Sequence, residues 1–287
     1  MNSIKTKHSK ADVANIYDFG SSFYRYFGRN DPAEFAIHFG IWNKDTKNAK
    51  EAVINTNRFL AETAEISGIT KVLDFGCGVG GSCLWLAETY GNRVTGISIS
   101  KKEILKAKEL ASKFGVDHLA DYYVMDYCQT SFSDKTFNVV WALESTIYAA
   151  DKLLLAKEAF RLLRDKGKIV VGDVFLKRKA NTKKEQEWLE IFYRGFTVIN
   201  LVTANEFTKA LKVGGFNDIS LANKTQAIIP TSKQRHKLNS FTYPVVKIME
   251  KLKISPPFLT NNSHASKIQY NMFKEGLIEY AVISASK

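Results

Sequence analysis

Apolar residues recur with two alternating periods between residues 71 and 174. Short apolar runs predict five strands, at residues 71–75, 93–97, 120–125, 137–143 and 167–174. Segments with the period of an amphipathic helix lie between them, most clearly at 101–114 and 151–163. The run at 137–143 is apolar at nearly every position, as expected for a strand covered on both faces. This alternation predicts an α/β fold with a doubly wound, mostly parallel sheet.

After residue 174 the pattern is less regular, but it predicts that the sheet continues. We expect a helix at 203–212, a sixth strand at 216–221 and a seventh at 277–284. Two longer segments, 175–202 and 223–276, interrupt this order. Because open α/β sheets bind ligands at the carboxyl ends of their strands, two insertions after consecutive strands predict a lid over that edge. The alternative is a helical packing layer that does not contact the substrate.

The second of these segments contains prolines that we expect to break helices, at Pro244 and at the Pro256-Pro257 pair. No other part of the chain suggests a linker or a repeat. We therefore interpret residues 1–287 as a single domain. It would comprise an N-terminal helical cap (1–65), a ligand-binding core (66–174) and two lid insertions (175–202 and 223–276).

Charge and composition narrow the class of protein. Lysine and arginine number 41 against 29 acidic residues, so the formal charge is +12. The lysine runs lack the interleaved aromatic residues of a base-stacking surface, which favours an anionic, apolar-tailed small molecule as partner over nucleic acid. No apolar run approaches the roughly 20 residues of a membrane span, and no signal peptide is recognisable. We expect a cytoplasmic protein without a stable membrane anchor, and leave a homo-oligomer open.

The most specific motif is KVLDFGCGVGG at residues 71–81, where a predicted strand runs into glycines and then into a helix. Glycine has no Cβ, so the backbone of such a loop can approach a ligand closely. The spacing is neither the dinucleotide fingerprint G-x-G-x-x-G nor a phosphate-binding P-loop. A strand, a glycine turn and a helix N-terminus together predict a nucleotide-binding corner.

This motif, an acidic residue in D-x-G-x-G-x-G, resembles the first motif of class I S-adenosylmethionine-dependent methyltransferases. Further segments resemble the subgroup that includes the tocopherol, sterol and sugar methyltransferases and the prenyl diphosphate C-methyltransferases. They are HFGIW (38–42), VTGISIS (94–100) and WALES followed by TIYAADK (141–152). The resemblance implies S-adenosylmethionine as cofactor. It also implies a Rossmann-like sheet of seven strands, the last of them antiparallel.

The resemblance also implies roles for particular residues around the cofactor. Asp74 and the glycine loop would lie against its amino-acid part, and Asp126, with Tyr127 beside it, would accept from the adenine amino group. Where the family usually has an acidic residue for the ribose, this chain has Ser98, so Glu103 is a candidate replacement. Glu103 could instead complete a capping box with Ser100. The predicted cofactor-binding residues are Asp74, Gly76, Cys77, Gly78, Gly80, Ser98, Glu103, Asp126, Tyr127 and Leu143.

The acceptor side is predicted from the residues after the fourth strand. Many relatives carry a histidine base just after the residue equivalent to Glu144, but here the sequence continues Ser-Thr-Ile-Tyr. The run E-S-T-I-Y resembles the segment of geranyl diphosphate C-methyltransferases. This implies C-methylation of an isoprenoid diphosphate, with Glu144 stabilising the carbocation, Tyr148 adding cation–π stabilisation, and cyclisation as a further fate of the cation. A diphosphate would bring Mg²⁺ with it. Basic residues were expected near it at Arg25, Arg29, Arg178, Lys179 and Arg194.

Other aromatic residues are predicted to contact the acceptor, with core packing as the alternative for each. The predicted substrate-binding residues are Tyr17, Tyr24, Trp42 and Phe192. Two further classes stay open from the sequence. One is an O- or N-methyltransferase of a phenol, sugar or alkaloid that uses His38 as its base. The other is a nucleic-acid methyltransferase, disfavoured because no Asn-Pro-Pro-Tyr type motif follows the fourth strand.

Overall fold

The structure, a computed structural model, describes residues 8–20, 35 and 37–287. Its centre is a seven-stranded sheet in the order β3-β2-β1-β4-β5-β7-β6. Only β7 runs antiparallel to its neighbours. The predicted α/β fold, with a mostly parallel sheet and an antiparallel last strand, is confirmed. The strands are β1 (Lys71–Phe75), β2 (Arg93–Ser98), β3 (Ala120–Val124), β4 (Phe137–Leu143), β5 (Leu163–Leu176), β6 (Asn217–Asn223) and β7 (Ile278–Ser286).

Helices cover both faces of this sheet, and each face has its own apolar core. Successive residues of β4 point to opposite faces, so that Val140 packs in one core and Trp141 in the other, both fully buried. This explains the nearly continuous apolar run of β4. The helices are α1 (Lys10–Gly20), α2 (Ala49–Thr63), α3 (Gly81–Tyr90), α4 (Lys101–Lys113), α5 (Lys152–Leu162), α6 (Lys183–Phe196), α7 (Ala204–Val213), α8 (Thr225–Lys251) and α9 (Pro257–Lys274).

The two insertions form one helical layer, in which α9 packs between α6 and α8. Helices α6 and α9 approach most closely at Gly195, where an added Cβ would lie only 2.3 Å from that of Ala265. No described helix is both long and apolar enough to cross a membrane.

One of the two predicted helix breaks, at Pro244, is wrong. Helix α8 continues through Pro244 and also contains Pro230. A proline removes one backbone hydrogen bond and bends a helix, but the packing of α8 along α9 stabilises the helix on both sides of it. The Pro256-Pro257 pair does separate α8 from α9, and Pro257 begins α9, where its missing N–H would have no helical partner.

Candidate active site

The glycine loop turns sharply between β1 and α3. Gly76, Gly78 and Gly80 have φ values of +88°, +56° and +87°, in the left-handed region that favours glycine. The N–H groups of Gly76 and Cys77 both donate to the Ile97 carbonyl at 3.0 Å, which fixes the loop against β2. Gly78 is the open side of the loop, because an added Cβ there would meet only the Glu103 carboxylate, at 3.6 Å.

A cavity extends from this loop across the carboxyl ends of β1, β2 and β4. All of the predicted cofactor-binding residues line it except Gly80. A Cβ on Gly80 would lie 2.8 Å from the Tyr122 hydroxyl, so this glycine is required for packing behind the loop and not for room in the cavity. The cavity therefore gathers residues from the ends of several different strands.

Glu103 faces this cavity from the first turn of α4. The Ser98 hydroxyl donates to the Glu103 carboxylate at 2.8 Å, and the Ser100 hydroxyl accepts from the Glu103 N–H at 3.1 Å. The Ser100 N–H donates to Ser98 rather than to Glu103, so the reciprocal bond of a capping box is not formed. Burial raises the pKa of Glu103 to about 7.

Helix α1 lies over the cavity and is held by polar contacts at three points. Lys10 forms an ion pair with Asp126. Asp18 accepts from the Ser100 hydroxyl and from the N–H of Lys102. The hydroxyls of Tyr17 and Tyr148 lie 2.6 Å apart, and their rings meet edge to face with centroids 5.6 Å apart. A segment distant in sequence thus covers the site.

Glu144 lies directly after β4 at the inner end of the cavity. Its φ is +52°, an uncommon conformation for a residue with a side chain, of the kind that collects at functional sites. Its N–H donates to the Gly172 carbonyl at 2.8 Å, and its carboxylate accepts from the N–H of Phe39 at 2.6 Å. Burial raises the pKa of Glu144 to about 7, although the neighbouring Arg235 guanidinium favours the charged form.

A second cavity, of about 450 Å³, opens on the other side of Glu144. Its volume lies in the range typical of small-molecule sites. Helices α6, α8 and α9 line one side of it, and its lining is largely aromatic and aliphatic, with Phe39, Phe192, Phe196 and Phe258 among the side chains. Tyr17, Ile37, Glu144 and Tyr148 line both cavities, so the two meet at the Glu144 carboxylate.

Comparison with known proteins shows which kind of enzyme this chain is. A sequence model described as a methyltransferase domain matches residues 73–171, which include the glycine loop and Glu144. The protein is an S-adenosylmethionine-dependent methyltransferase with the class I fold. It is 28% identical over 228 residues to 27-O-demethylrifamycin SV methyltransferase of Amycolatopsis mediterranei, covering 79% of this chain and 81% of the relative.

Two more of these similar proteins are informative. Cycloartenol-C-24-methyltransferase of Arabidopsis thaliana is 29% identical over 276 residues, covering 89% of this chain and 79% of the relative. The crystal structure of geranyl diphosphate C-methyltransferase from Streptomyces coelicolor A3(2), in complex with Mg²⁺, geranyl diphosphate and S-adenosyl-L-homocysteine, superposes with a TM-score of 0.72. At 17% identity over 99% of both chains, this second likeness shows the shared fold.

The first cavity of the enzyme suits S-adenosylmethionine. Gly78 leaves room on the cavity side of the loop, where the amino-acid part of the cofactor is predicted to lie. The Glu103 carboxylate can accept from the ribose hydroxyls, and Asp126 can accept from the adenine amino group. Both line the cavity, and Asp126 also accepts from Lys10 and from the Cys128 N–H. These roles stay predictions.

His38 lines the cofactor cavity from the segment before α2. Its Nδ1 bonds the Phe39 carbonyl at 2.9 Å, which assigns the proton to Nδ1 and leaves a lone pair on Nε2. Nε2 is buried without a hydrogen-bond partner among the described residues. Burial lowers the pKa of His38 to about 4, so the ring is neutral at pH 7.

One of the predicted substrate residues, Trp42, does not line the acceptor cavity. Trp42 donates from its indole to the Thr231 hydroxyl at 2.9 Å and from its backbone to the Ala227 carbonyl at 2.8 Å. It ties the segment before α2 to α8, and it is absent from the lining of both cavities. Tyr24, like Arg25 and Arg29, lies outside the described residues. Tyr17 and Phe192 do line the acceptor cavity.

A half-buried arginine and a buried aspartate at the site were not found from the sequence. Arg235, on α8, lines the acceptor cavity near Glu144 and donates to the His38 carbonyl at 3.0 Å. Asp173 accepts from the N–H and the hydroxyl of Thr146, at 2.8 and 2.7 Å, and so holds the segment after Glu144 in place. Neither lies in a motif. Asp173 lies near the end of the predicted strand 167–174, as Asp74 does in the predicted strand 71–75, and this position is the one signal in the sequence.

Replacing Glu144 with Gln is expected to stabilise the cofactor-free enzyme at pH 8 by about 3 kcal/mol, and to change its stability little at pH 4. The pKa of Glu144 is near 7 in the folded state and near 4 in an unfolded chain. Between these values the folded state binds more protons, so its stability falls as the pH rises. Glutamine does not titrate, so the stability of the Gln variant does not fall with pH for this reason.

Denaturant unfolding of both proteins from pH 4 to pH 8 measures the difference. His38, with its lowered pKa, contributes a slope of opposite sign in both proteins, which cancels in the subtraction. A stability difference that does not change with pH would contradict the raised pKa of Glu144.

Proposed function

We propose that the enzyme methylates an alkene carbon of an isoprenoid, and that Glu144 stabilises the carbocation formed on that acceptor. The observation that carries this proposal is the position of Glu144, a half-buried carboxylate where the cofactor cavity meets an apolar cavity. Bound S-adenosylmethionine supplies an electrophilic methyl group. An alkene lying in the second cavity would meet that methyl beside the carboxylate.

The side chains at the junction suit the electron flow of such a reaction. The alkene π electrons would form the new C–C bond to the methyl carbon while the methyl–sulfur bond breaks and leaves its electron pair on sulfur. Positive charge would then remain on the neighbouring alkene carbon. The Glu144 carboxylate and the faces of Tyr17 and Tyr148 would stabilise that charge in a site with little water. A C–H bond next to the cation then breaks, its electrons form a new alkene, and Glu144 takes the proton. Cyclisation is the alternative fate, in which a second alkene attacks the cation.

The diphosphate head group has less support than the isoprenoid itself. The net charge of +12 favours an anionic substrate. Among the residues that line the acceptor cavity, however, Arg235 is the only lysine or arginine, and it lies against Glu144 and the His38 carbonyl. Arg178 is engaged by Glu185, outside the cavity. No cluster of side chains among the described residues could hold a metal ion. The described lining therefore offers a diphosphate one cation, Arg235, and prenyl diphosphate C-methylation stays a prediction.

O- or N-methylation is the second candidate, and a specific observation favours it. His38 lines the cofactor cavity, and its ring is neutral with a lone pair on Nε2. A lone pair held in this way could accept the proton of a hydroxyl or amine as it is methylated. The 27-O-demethylrifamycin SV relative is an O-methyltransferase by name.

One set of incubations with methyl-labelled S-adenosylmethionine separates these functions. The acceptors are isopentenyl, geranyl, farnesyl and geranylgeranyl diphosphates with and without Mg²⁺, then the matching alcohols and a sterol with a side-chain alkene, and finally a phenol, a sugar and an amine. We expect label on carbon from at least one isoprenoid, lost in Glu144→Gln and retained in His38→Gln. Label on oxygen or nitrogen that is lost in His38→Gln, with no labelled carbon, would establish the second candidate instead.

A further inference from the structure

The outward face of α8 carries a row of exposed apolar side chains, which we call the α8 stripe: Leu238, Phe241, Val245, Ile248 and Leu252. Their side chains are 56 to 80% exposed, and Phe241 is the most exposed of them. The spacing alternates between three and four residues, so the helix period aligns them on one face. Ile254, in the turn that follows, is 65% exposed.

This face is not the packing face of α8. The opposite side of the helix lines the acceptor cavity with Arg235 and Asn239. It also bonds to α9, because His236 contacts the Lys267 carbonyl and Ser263 donates to Asn239. The outward face of a surface helix is ordinarily polar, and a continuous exposed apolar row marks an interaction surface. The α8 stripe therefore requires a partner outside the described fold.

The charges beside the stripe indicate what that partner is. Five exposed lysines lie between residues 233 and 253: Lys233, Lys237, Lys247, Lys251 and Lys253. Glu250 is the only acidic residue in that interval. An apolar helix face flanked by lysines has the composition of a segment that lies in the head-group region of an anionic membrane. A second copy of the chain would bring two rows of lysines together, which opposes self-association through this face.

We propose that the α8 stripe binds peripherally to anionic lipid membranes. The apolar side chains would enter the boundary between head groups and acyl chains, while the lysines contact lipid phosphates. Because the inner face of the same helix lines the acceptor cavity, binding would place that cavity at the membrane surface. The membrane binding does not depend on which acceptor the enzyme methylates, so the two proposals can fail separately.

Vesicle flotation of the full chain tests this proposal. We expect the enzyme to float with vesicles of phosphatidylcholine and phosphatidylglycerol, to float poorly with phosphatidylcholine alone, and to be released as salt is raised. The double variant Phe241→Asp/Ile248→Asp should lower binding by about tenfold or more, since it removes apolar area and adds negative charge. Lys237→Glu/Lys251→Glu should lower binding to the anionic vesicles by a similar factor.

Matched controls lie on α5, away from the stripe. Leu154 is 53% exposed, close to the 58% of Ile248, and Lys157 is an exposed lysine on the same helix. Leu154→Asp and Lys157→Glu should bind vesicles like the wild type. Unchanged S-adenosylmethionine affinity, measured by calorimetry, would show that every variant is folded.

Three results would overturn the proposal. The first is no flotation with either kind of vesicle. The second is equal flotation of the stripe variants and the α5 controls. The third is a concentration-dependent dimer in sedimentation velocity that Phe241→Asp abolishes, which would identify a second copy of the chain as the partner.

Discussion

Gly78→Val is expected to weaken S-adenosylmethionine binding by about a hundredfold or more, corresponding to roughly 2.7 kcal/mol. Two effects combine at this position. The backbone of Gly78 has φ +56°, which a β-branched residue adopts only with strain. The side chain would also project into the cavity beside the Glu103 carboxylate, where the cofactor must lie. Isothermal calorimetry of the purified variant measures the loss.

Gly115→Val is the matched control for this substitution. Gly115 has a similar φ of +71°, and an added Cβ there would meet nothing within 4 Å. It lies at the end of α4, outside the cofactor cavity. Both variants should lose a comparable part of their thermal stability through backbone strain, whereas only Gly78→Val should lose the cofactor. Wild-type affinity in a folded Gly78→Val protein would remove the assignment of this cavity to S-adenosylmethionine.

Glu144→Gln is expected to lower kcat by about 10²- to 10³-fold while S-adenosylmethionine affinity changes only a few-fold. Glutamine preserves the shape of the side chain and an oxygen that can accept from the Phe39 N–H. It lacks the negative charge that would stabilise a carbocation on the acceptor. Single-turnover assays on an acceptor found in the labelling experiment would isolate the methyl-transfer step.

Glu158→Gln provides the comparison for this charge removal. Glu158 accepts from Thr130 and Arg161 and lines neither cavity, so its replacement should leave kcat unchanged. The affinity measurement separates two roles for Glu144. If S-adenosylmethionine affinity falls as far as kcat does, the carboxylate serves the positive charge of the cofactor rather than that of the acceptor.

The local elements of the core were predictable because their signals lie within a few residues of sequence. Strand β4 falls at the predicted 137–143, helix α4 ends one residue before its predicted end, and helix α5 is one residue shorter than predicted at each end. The glycines of the loop are also a local signal. Gly76, Gly78 and Gly80 have positive φ, which few other residues adopt without strain. The predicted class of enzyme, resting on this loop, is confirmed.

Predictions from local sequence were wrong where packing between distant elements determines the course of a helix or the position of a side chain. The sequence predicted a break at Pro244, yet α8 continues because it packs along α9. Trp42 lies in a motif shared with relatives and was assigned to the substrate, but its indole bonds to Thr231 on α8. For a large aromatic residue, the sequence does not distinguish a place in the core from a place in a cavity.

The sequence by itself determined the α/β core, the glycine loop and the candidate carboxylates Glu103 and Glu144. The tertiary structure alone decided which residues from distant segments join them: Tyr17 of α1, His38, and Arg235 of α8. It likewise decided that the apolar row of α8 is exposed, although its spacing is equally that of a core-facing helix. The reason is physical. Periodicity and backbone conformation act between near neighbours in the chain, whereas burial and charge pairing depend on segments up to 200 residues apart that meet only when the chain folds.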